Sequence, residues 1–123
     1  MFPETQRDLI YSIFEKLNKG DRPHNLLITT HSPFILYAIN NCLMGFKVKE
    51  KMPIEEQKEL KSMKSWIDPK NVSVYQIKEG KLYSIKDIRT ETVSKHYFND
   101  NLNDLMSEYY EMLSYFEHND KQN

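Results

Sequence analysis

The first twenty residues carry apolar side chains three or four positions apart, the spacing of one face of an amphipathic helix. Pro3 suits the first turn of such a helix, and Gly20 suits its end. We therefore predict a helix that starts at about Pro3 and stops by Gly20, with a polar turn over residues 19–24. Its apolar face would hold Leu9, Ile10, Ile13, Phe14 and Leu17.

Residues 25–30 read Asn-Leu-Leu-Ile-Thr-Thr, a short run of apolar and β-branched side chains between polar turns. This pattern is typical of a strand buried on both faces, as in a parallel sheet covered by helices. Ser32 and Pro33 follow as the preferred N-cap and first residue of a second helix, which Gly45 would end. The order helix, buried strand, helix indicates an α/β fold. In the second helix, apolar residues recur at helical spacing: Phe34, Ile35, Ala38, Ile39, Cys42 and Leu43.

The middle of the chain is rich in charge and then alternates. Residues 47–64 hold six lysines and four glutamates, so we predict a charged insertion at about 46–68, with a surface helix from Pro53 and Trp66 as its anchor. Its lysines would form a solvated face; contact with a phosphate backbone is the less favoured alternative. Residues 72–77 and 81–85 alternate in polarity around a Glu-Gly turn, which predicts a β-hairpin.

The closing segment carries an apolar stripe with alternating spacings of four and three, as on one face of a helix. Two interpretations stand: a helix packed on its own sheet, which we favour, or a non-enzymatic interaction module that binds a partner or a second copy. We assign residues 1–118 to one domain and predict a disordered tail at 119–123. The stripe consists of Leu102, Met106, Tyr109, Leu113 and Phe116.

Composition narrows the class of protein. The 123 residues carry a net charge of -1 and a mean hydropathy of -0.72, which disfavours a dedicated nucleic-acid binder. With a single cysteine, Cys42, the chain cannot form an internal disulfide. We predict that Cys42 packs as a small buried side chain on the apolar face of the second helix. The absence of a long apolar run and of a signal-peptide core predicts no membrane partner and a cytoplasmic location.

The junction after residues 25–30 has the strongest chemical content. In open α/β sheets, ligands bind beyond the carboxyl ends of the strands, where His31 stands. A helix starting at Ser32-Pro33 would place its positive end beside the imidazole, a combination that suits phosphate. The alternative is that His31 caps the helix or bonds a backbone carbonyl.

The stretch Ile28-Thr-Thr-His-Ser-Pro-Phe-Ile-Leu36 resembles the switch-histidine motif, or H-loop, of ABC-type P-loop ATPases. The closest likeness is to the AAA-like ATPases of the overcoming-lysogenization-defect family. Phe2-Pro3-Glu4-Thr5-Gln6 before a helix resembles the family stretch that follows the Walker B strand. The likeness is specific over 25–36, fair over 2–17 and weak beyond 45.

The resemblance implies a partial P-loop NTPase sheet with flanking helices, a β-hairpin and a C-terminal helix. His31 would act as the catalytic residue at the γ-phosphate, and His31 with Ser32 would bind the nucleotide. None of the three glycines stands in a G-x-x-x-x-G-K-[ST] loop, and the apolar strand ends in Thr30-His31 rather than in an acid.

These departures predict the C-terminal part of an ATPase that is inactive by itself. ATP and magnesium would bind only in the full-length parent, and no metal ligand or cofactor is expected in this chain alone. Its partner would be the remainder of the ATPase domain. A homodimer is a further expectation, and nucleic acid would be contacted only through the parent.

Overall fold

The computed structural model describes residues 3–20, 25–30, 32–94 and 103–122, and the side chains of 107–118 in the last range. Four α-helices and one two-stranded antiparallel sheet lie in these ranges, so the chain is a mixed α/β protein. The helices are α1 (Pro3–Lys19), α2 (Pro33–Val48), α3 (Ile54–Gln57) and α4 (Asn103–Gln122). The strands are β1 (Tyr75–Lys78) and β2 (Lys81–Ser84), and 3-10 turns cover Met63–Ser65 and Pro69–Asn71.

Helix α2 is the centre of the molecule. Every residue from Tyr37 to Gly45 is buried, because α1 packs on one side of the helix and α4 on another. A helix that is apolar on more than one face must be covered on more than one face. The α1 side is a cluster of Ile10, Tyr11, Phe14, Ala38, Ile39, Cys42 and Leu43. The α4 side is a cluster of Tyr37, Met44, Val48, Met52, Trp66, Tyr109, Met112, Leu113 and Phe116.

The prediction for α1 is confirmed, but the predicted end of α2 is wrong. Helix α2 continues through Gly45 to Val48. Gly45 lies against the indole of Trp66, and a Cβ atom there would come within 2.0 Å of Nε1. The glycine therefore makes room for a neighbouring side chain, and the helix does not stop there. Trp66 anchors the charged segment in the core, as predicted.

The prediction of a buried strand at residues 25–30 is wrong for the residues that the structure describes. The segment has no strand assignment, and no backbone hydrogen bond joins it to another described residue. Ile28 packs against the α1–α2 cluster, while Leu27 is 87% exposed. Burial on both faces needs neighbouring strands and a second layer of helices, and the described chain places neither beside this segment.

The hairpin is confirmed, but its burial is not. β1 and β2 pair antiparallel with Ile77 opposite Leu82, and all eight residues are exposed. The alternating pattern predicts that one face of the hairpin is covered, but among the described residues both faces are exposed. β1 also begins three residues later than predicted, at Tyr75.

The charged segment and the last helix differ in detail from the predictions. The surface helix after Pro53 is a single turn, α3. Helix α4 runs to Gln122, so residues 119–122 have helical backbone where we predicted a disordered tail. The described part of the apolar stripe, Tyr109, Leu113 and Phe116, is buried against α2 rather than against a sheet. Leu102 lies outside the described residues, and the side chain of Met106 lies outside the described side chains.

Candidate functional site

The turn before α2 is held by its threonine and serine. The backbone N–H of Ser32 donates to Oγ1 of Thr30 at 2.9 Å, an interaction typical of a tight turn. Ser32 has extended backbone angles, φ -89° and ψ 121°, and Pro33 begins the helix. The predicted N-cap position and helix start are therefore confirmed. His31, the predicted catalytic and nucleotide-binding residue, lies outside the described residues.

The hydroxyl of Ser32 does not cap α2. It donates instead to Oε1 of Gln6 on α1, and no side-chain hydrogen bond caps the helix start. Gln6 belongs to the stretch on which the family resemblance also rests, but the sequence contains no signal that pairs it with Ser32. The contact ties the first turn of α1 to the turn that precedes α2.

The first turn of α2 carries no negatively charged side chain. Its first backbone amides receive no acceptor from the Ser32 side chain. Unpaired amides at a helix start carry partial positive charge, which favours a phosphate or carboxylate in front of them. The described residues of the predicted motif, Thr30, Ser32 and Pro33, lie at this helix start.

A second group of polar side chains surrounds Glu108 on α4. Its carboxylate accepts hydrogen bonds from the Tyr11 hydroxyl at 3.2 Å and from Oγ of Ser62 at 2.9 Å. Burial raises the pKa of Glu108, and the hydrogen bonds from Ser62 and Tyr11 oppose that rise. Sequence reasoning missed this group, because its members are 46 and 97 positions away from Glu108.

Cations surround the aromatic ring of Phe116 at the end of α4. Lys47, Lys51 and Arg89 lie 5.4, 5.8 and 5.5 Å from the ring centre. Lys47 is paired with Glu91 at 2.8 Å, and its hydrogen bond lowers the pKa of that carboxyl. Part of the lysine-rich segment thus packs onto the molecule's own aromatic side chains and carboxylates.

The 87–94 segment and α4 form a cleft of about 110 Å³. Asp87, Arg89 and Tyr109 contribute polar groups to it. Ligand pockets for drug-sized molecules are several times larger, so this cleft is too small for a nucleotide. No three His, Cys, Asp or Glu side chains of the described ranges are grouped so that they could hold a metal ion.

No described helix is both long and apolar enough to cross a membrane. Comparison of the chain with protein-family models, with curated proteins and with solved structures found no match.

Proposed function

We propose that this chain is the C-terminal part of an ABC-like ATPase, in which His31 contacts the γ-phosphate of ATP. The observation that supports the proposal is the sequence Thr30-His31-Ser32-Pro33, whose Ser32 and Pro33 are the N-cap and the first residue of α2. A histidine at such a junction can donate a hydrogen bond to a phosphate oxygen and respond to its charge.

The start of α2 supports a phosphate-facing role. Because Gln6 engages the Ser32 hydroxyl, that hydroxyl does not occupy the first amides of the helix. The same turn has no carboxylate that would repel a phosphate. A nucleotide phosphate in front of Pro33 would meet both the helix dipole and the imidazole.

The exposed segment at residues 25–30 supports the proposal that the rest of an ATPase domain packs against it. Leu26 and Leu27 are 48% and 87% exposed, in a run whose composition is typical of a central strand. In the complete ATPase, strands of the remaining domain would pair with this segment, and a helix would cover Leu27. The remainder of the domain would also supply the phosphate loop and the magnesium ligands, so that this chain by itself does not turn over ATP.

The purified chain provides the first test. We expect no ATP hydrolysis above background and at most weak ATP binding by calorimetry. Steady hydrolysis that disappears in His31→Ala would contradict the proposal that the chain is an inactive part. The complete gene provides an independent check: an in-frame G-x-x-x-x-G-K-[ST] motif and an acid-ended apolar strand upstream would support the family, and their absence would contradict it.

The role of His31 is tested in the full-length parent. Removing one donor to a developing phosphate charge should lower the turnover number by roughly 100-fold. We expect this loss in His31→Ala, with little change in the matched variant His118→Ala, whose histidine is exposed on α4. Unchanged turnover in His31→Ala would refute the assigned role, whatever the domain architecture.

A further inference from the structure

The carboxylate of Glu108 is the meeting point of three parts of the chain. It projects from α4 and accepts hydrogen bonds from the hydroxyl of Tyr11 on α1 and from the hydroxyl and backbone N–H of Ser62 in the charged segment. An ionised carboxylate can only accept hydrogen bonds, so both hydroxyls must give their protons to it.

The two hydroxyls that donate to Glu108 differ in whether they could accept a hydrogen bond from it instead. The indole Nε1 of Trp66 donates to Oγ of Ser62 at 2.9 Å, and an indole N–H is a donor that cannot accept a hydrogen bond. Ser62 must therefore direct its own proton to Glu108. Tyr11 instead accepts from Nδ2 of Asn41 at 2.9 Å, and an amide side chain offers an acceptor as readily as a donor.

The side-chain oxygen of Asn41 could accept a hydrogen bond from Tyr11 if the bond between these two residues changed direction. The Asn41 side chain is buried, and Oδ1 has no hydrogen-bond partner among the described residues. A half-turn of the amide exchanges Oδ1 and Nδ2 and brings the acceptor to the Tyr11 hydroxyl. Tyr11 could then donate to Asn41 and accept from a protonated Glu108, which has an O–H to give.

We propose that Glu108, Tyr11 and Asn41 form a proton-dependent relay whose hydrogen bonds reverse direction. With Glu108 ionised, they run from Asn41 through Tyr11 to the carboxylate. When Glu108 takes up one proton from solvent, the Asn41 amide turns over, and they run from the carboxyl group through Tyr11 to Oδ1. Each state contains two hydrogen bonds along the path, so neither state breaks the link between α1 and α4.

The charges near Glu108 are compatible with this relay. Among the described residues, the charged and titratable groups that act on it are Arg7 and Tyr11 of α1 and Cys42 of α2. Burial raises the pKa of Tyr11 far above its ordinary value, and the Glu108 charge adds to that rise. Tyr11 therefore remains protonated and can turn its hydroxyl in either direction. The charged segment contributes the neutral groups Ser62 and Trp66.

Nuclear magnetic resonance of the full chain tests the relay. The carboxyl carbon of Glu108 and the side-chain amide of Asn41 would be followed from roughly pH 4 to pH 8. We expect both to change with one common midpoint, above the ordinary value for glutamate. In Tyr11→Phe the Asn41 signal should no longer follow Glu108. In the matched variant Ser62→Ala, which loses the serine hydroxyl bond to Glu108 and keeps the backbone one, it should still follow.

The relay is overturned if the Asn41 amide signal stays constant through the Glu108 midpoint, or if it still follows Glu108 in Tyr11→Phe. Glu108→Gln gives a separate check that does not depend on the folding of the tyrosine variant. It removes the titrating group, so the Asn41 amide should become independent of pH. A retained titration of Asn41 in Glu108→Gln would also overturn the relay.

Discussion

The hydroxyl of Tyr11 donates a hydrogen bond of 3.2 Å to Oε2 of Glu108, and this contact joins α1 to α4 across 97 positions. Tyr11 is 6% exposed, so the bond lies beside the apolar cluster between α1 and α2. A partly buried carboxylate at such a place makes the stability of the fold depend on pH, because its proton affinity differs between the folded and unfolded chains.

Glu108→Gln should change how stability responds to pH. Burial raises the pKa of Glu108 in the folded chain. Folding therefore takes up a proton between the unfolded and the folded pKa, and the free energy of unfolding rises as the pH falls through that interval. We expect the wild type to gain stability relative to Glu108→Gln in urea denaturation as the pH falls from neutral towards the ordinary pKa of glutamate.

The control for this measurement is Glu111→Gln, because Glu111 is an exposed glutamate on the same helix. Its stability difference from the wild type should stay nearly constant over that range. A wild type that loses stability relative to Glu108→Gln as the pH falls would contradict the predicted sign.

Gly45→Ala should destabilise the fold although alanine favours helices. The added Cβ would lie 2.0 Å from Nε1 and 2.1 Å from Cε2 of Trp66, whose indole is buried and donates to Ser62. Overpacking of this kind costs about 2 kcal/mol, which exceeds the roughly 1 kcal/mol gained in helix propensity. Thermal and urea unfolding would measure the net loss.

Gly80→Ala is the matched control for the glycine change. Gly80 has φ +74°, and apart from its two chain neighbours no described residue has an atom within 4 Å of a Cβ placed there. Only the left-handed backbone opposes the substitution, at about 1 kcal/mol. A Gly45→Ala protein as stable as the wild type would show that Trp66 moves aside without loss.

Asn40→Ala should be among the most costly polar substitutions. The buried amide of Asn40 accepts from the backbone N–H of Val93 at 2.6 Å and donates to the Val93 carbonyl at 3.2 Å. Its removal leaves two buried backbone groups without a partner, so we expect a loss of about 3 kcal/mol in the free energy of unfolding.

Asn71→Ala tests whether this loss is specific to the buried amide. Asn71 is exposed, and its replacement should change the free energy of unfolding by less than about 0.5 kcal/mol. Equal effects of the two substitutions in urea denaturation would contradict the prediction that the hydrogen bonds between Asn40 and the Val93 backbone stabilise the fold.

Cys42 should resist alkylation while the protein is folded. Its side chain is fully buried, and burial followed by the charge of Glu108 raises the pKa of the thiol well above its ordinary value. Because the thiolate is the reactive form, iodoacetamide at about pH 8 should label Cys42 only as the chain unfolds. Mass spectrometry in native buffer and in urea would measure the labelling.

The variant Ser12→Cys supplies an internal reference for that experiment. Ser12 is exposed on α1, so the new thiol should be labelled rapidly while Cys42 in the same molecule is not. Similar labelling rates for the two thiols in the folded protein would contradict the buried position of Cys42.

The sequence predicted the elements whose signals are local. The helical spacing after Pro3 and the Ser-Pro start of α2 were enough, because helix caps and apolar periodicity act within a few residues. The Glu-Gly turn similarly predicted the hairpin. The same local reasoning failed at Gly45, where a contact with Trp66, 21 positions away, explains the glycine.

The candidate site also contains some features that the sequence predicted and others that only the structure shows. The placement of Ser32 and Pro33 at the start of a helix followed from their residue types. The bond between Ser32 and Gln6, the relay around Glu108 and the cations at Phe116 involve residues 26 or more positions apart. No local pattern contains these pairings, because they exist only once helices have packed.

By itself the sequence determined where helices start, where the hairpin turns and which motif stands before α2, since these depend on nearby residues. The tertiary structure decided what each apolar or polar side chain meets. It buries α2 between α1 and α4, and it leaves Leu27 exposed because the described chain supplies no sheet around it. It also sets Glu108 against Tyr11, because α1 and α4 both pack on α2 and so bring residues 97 positions apart together.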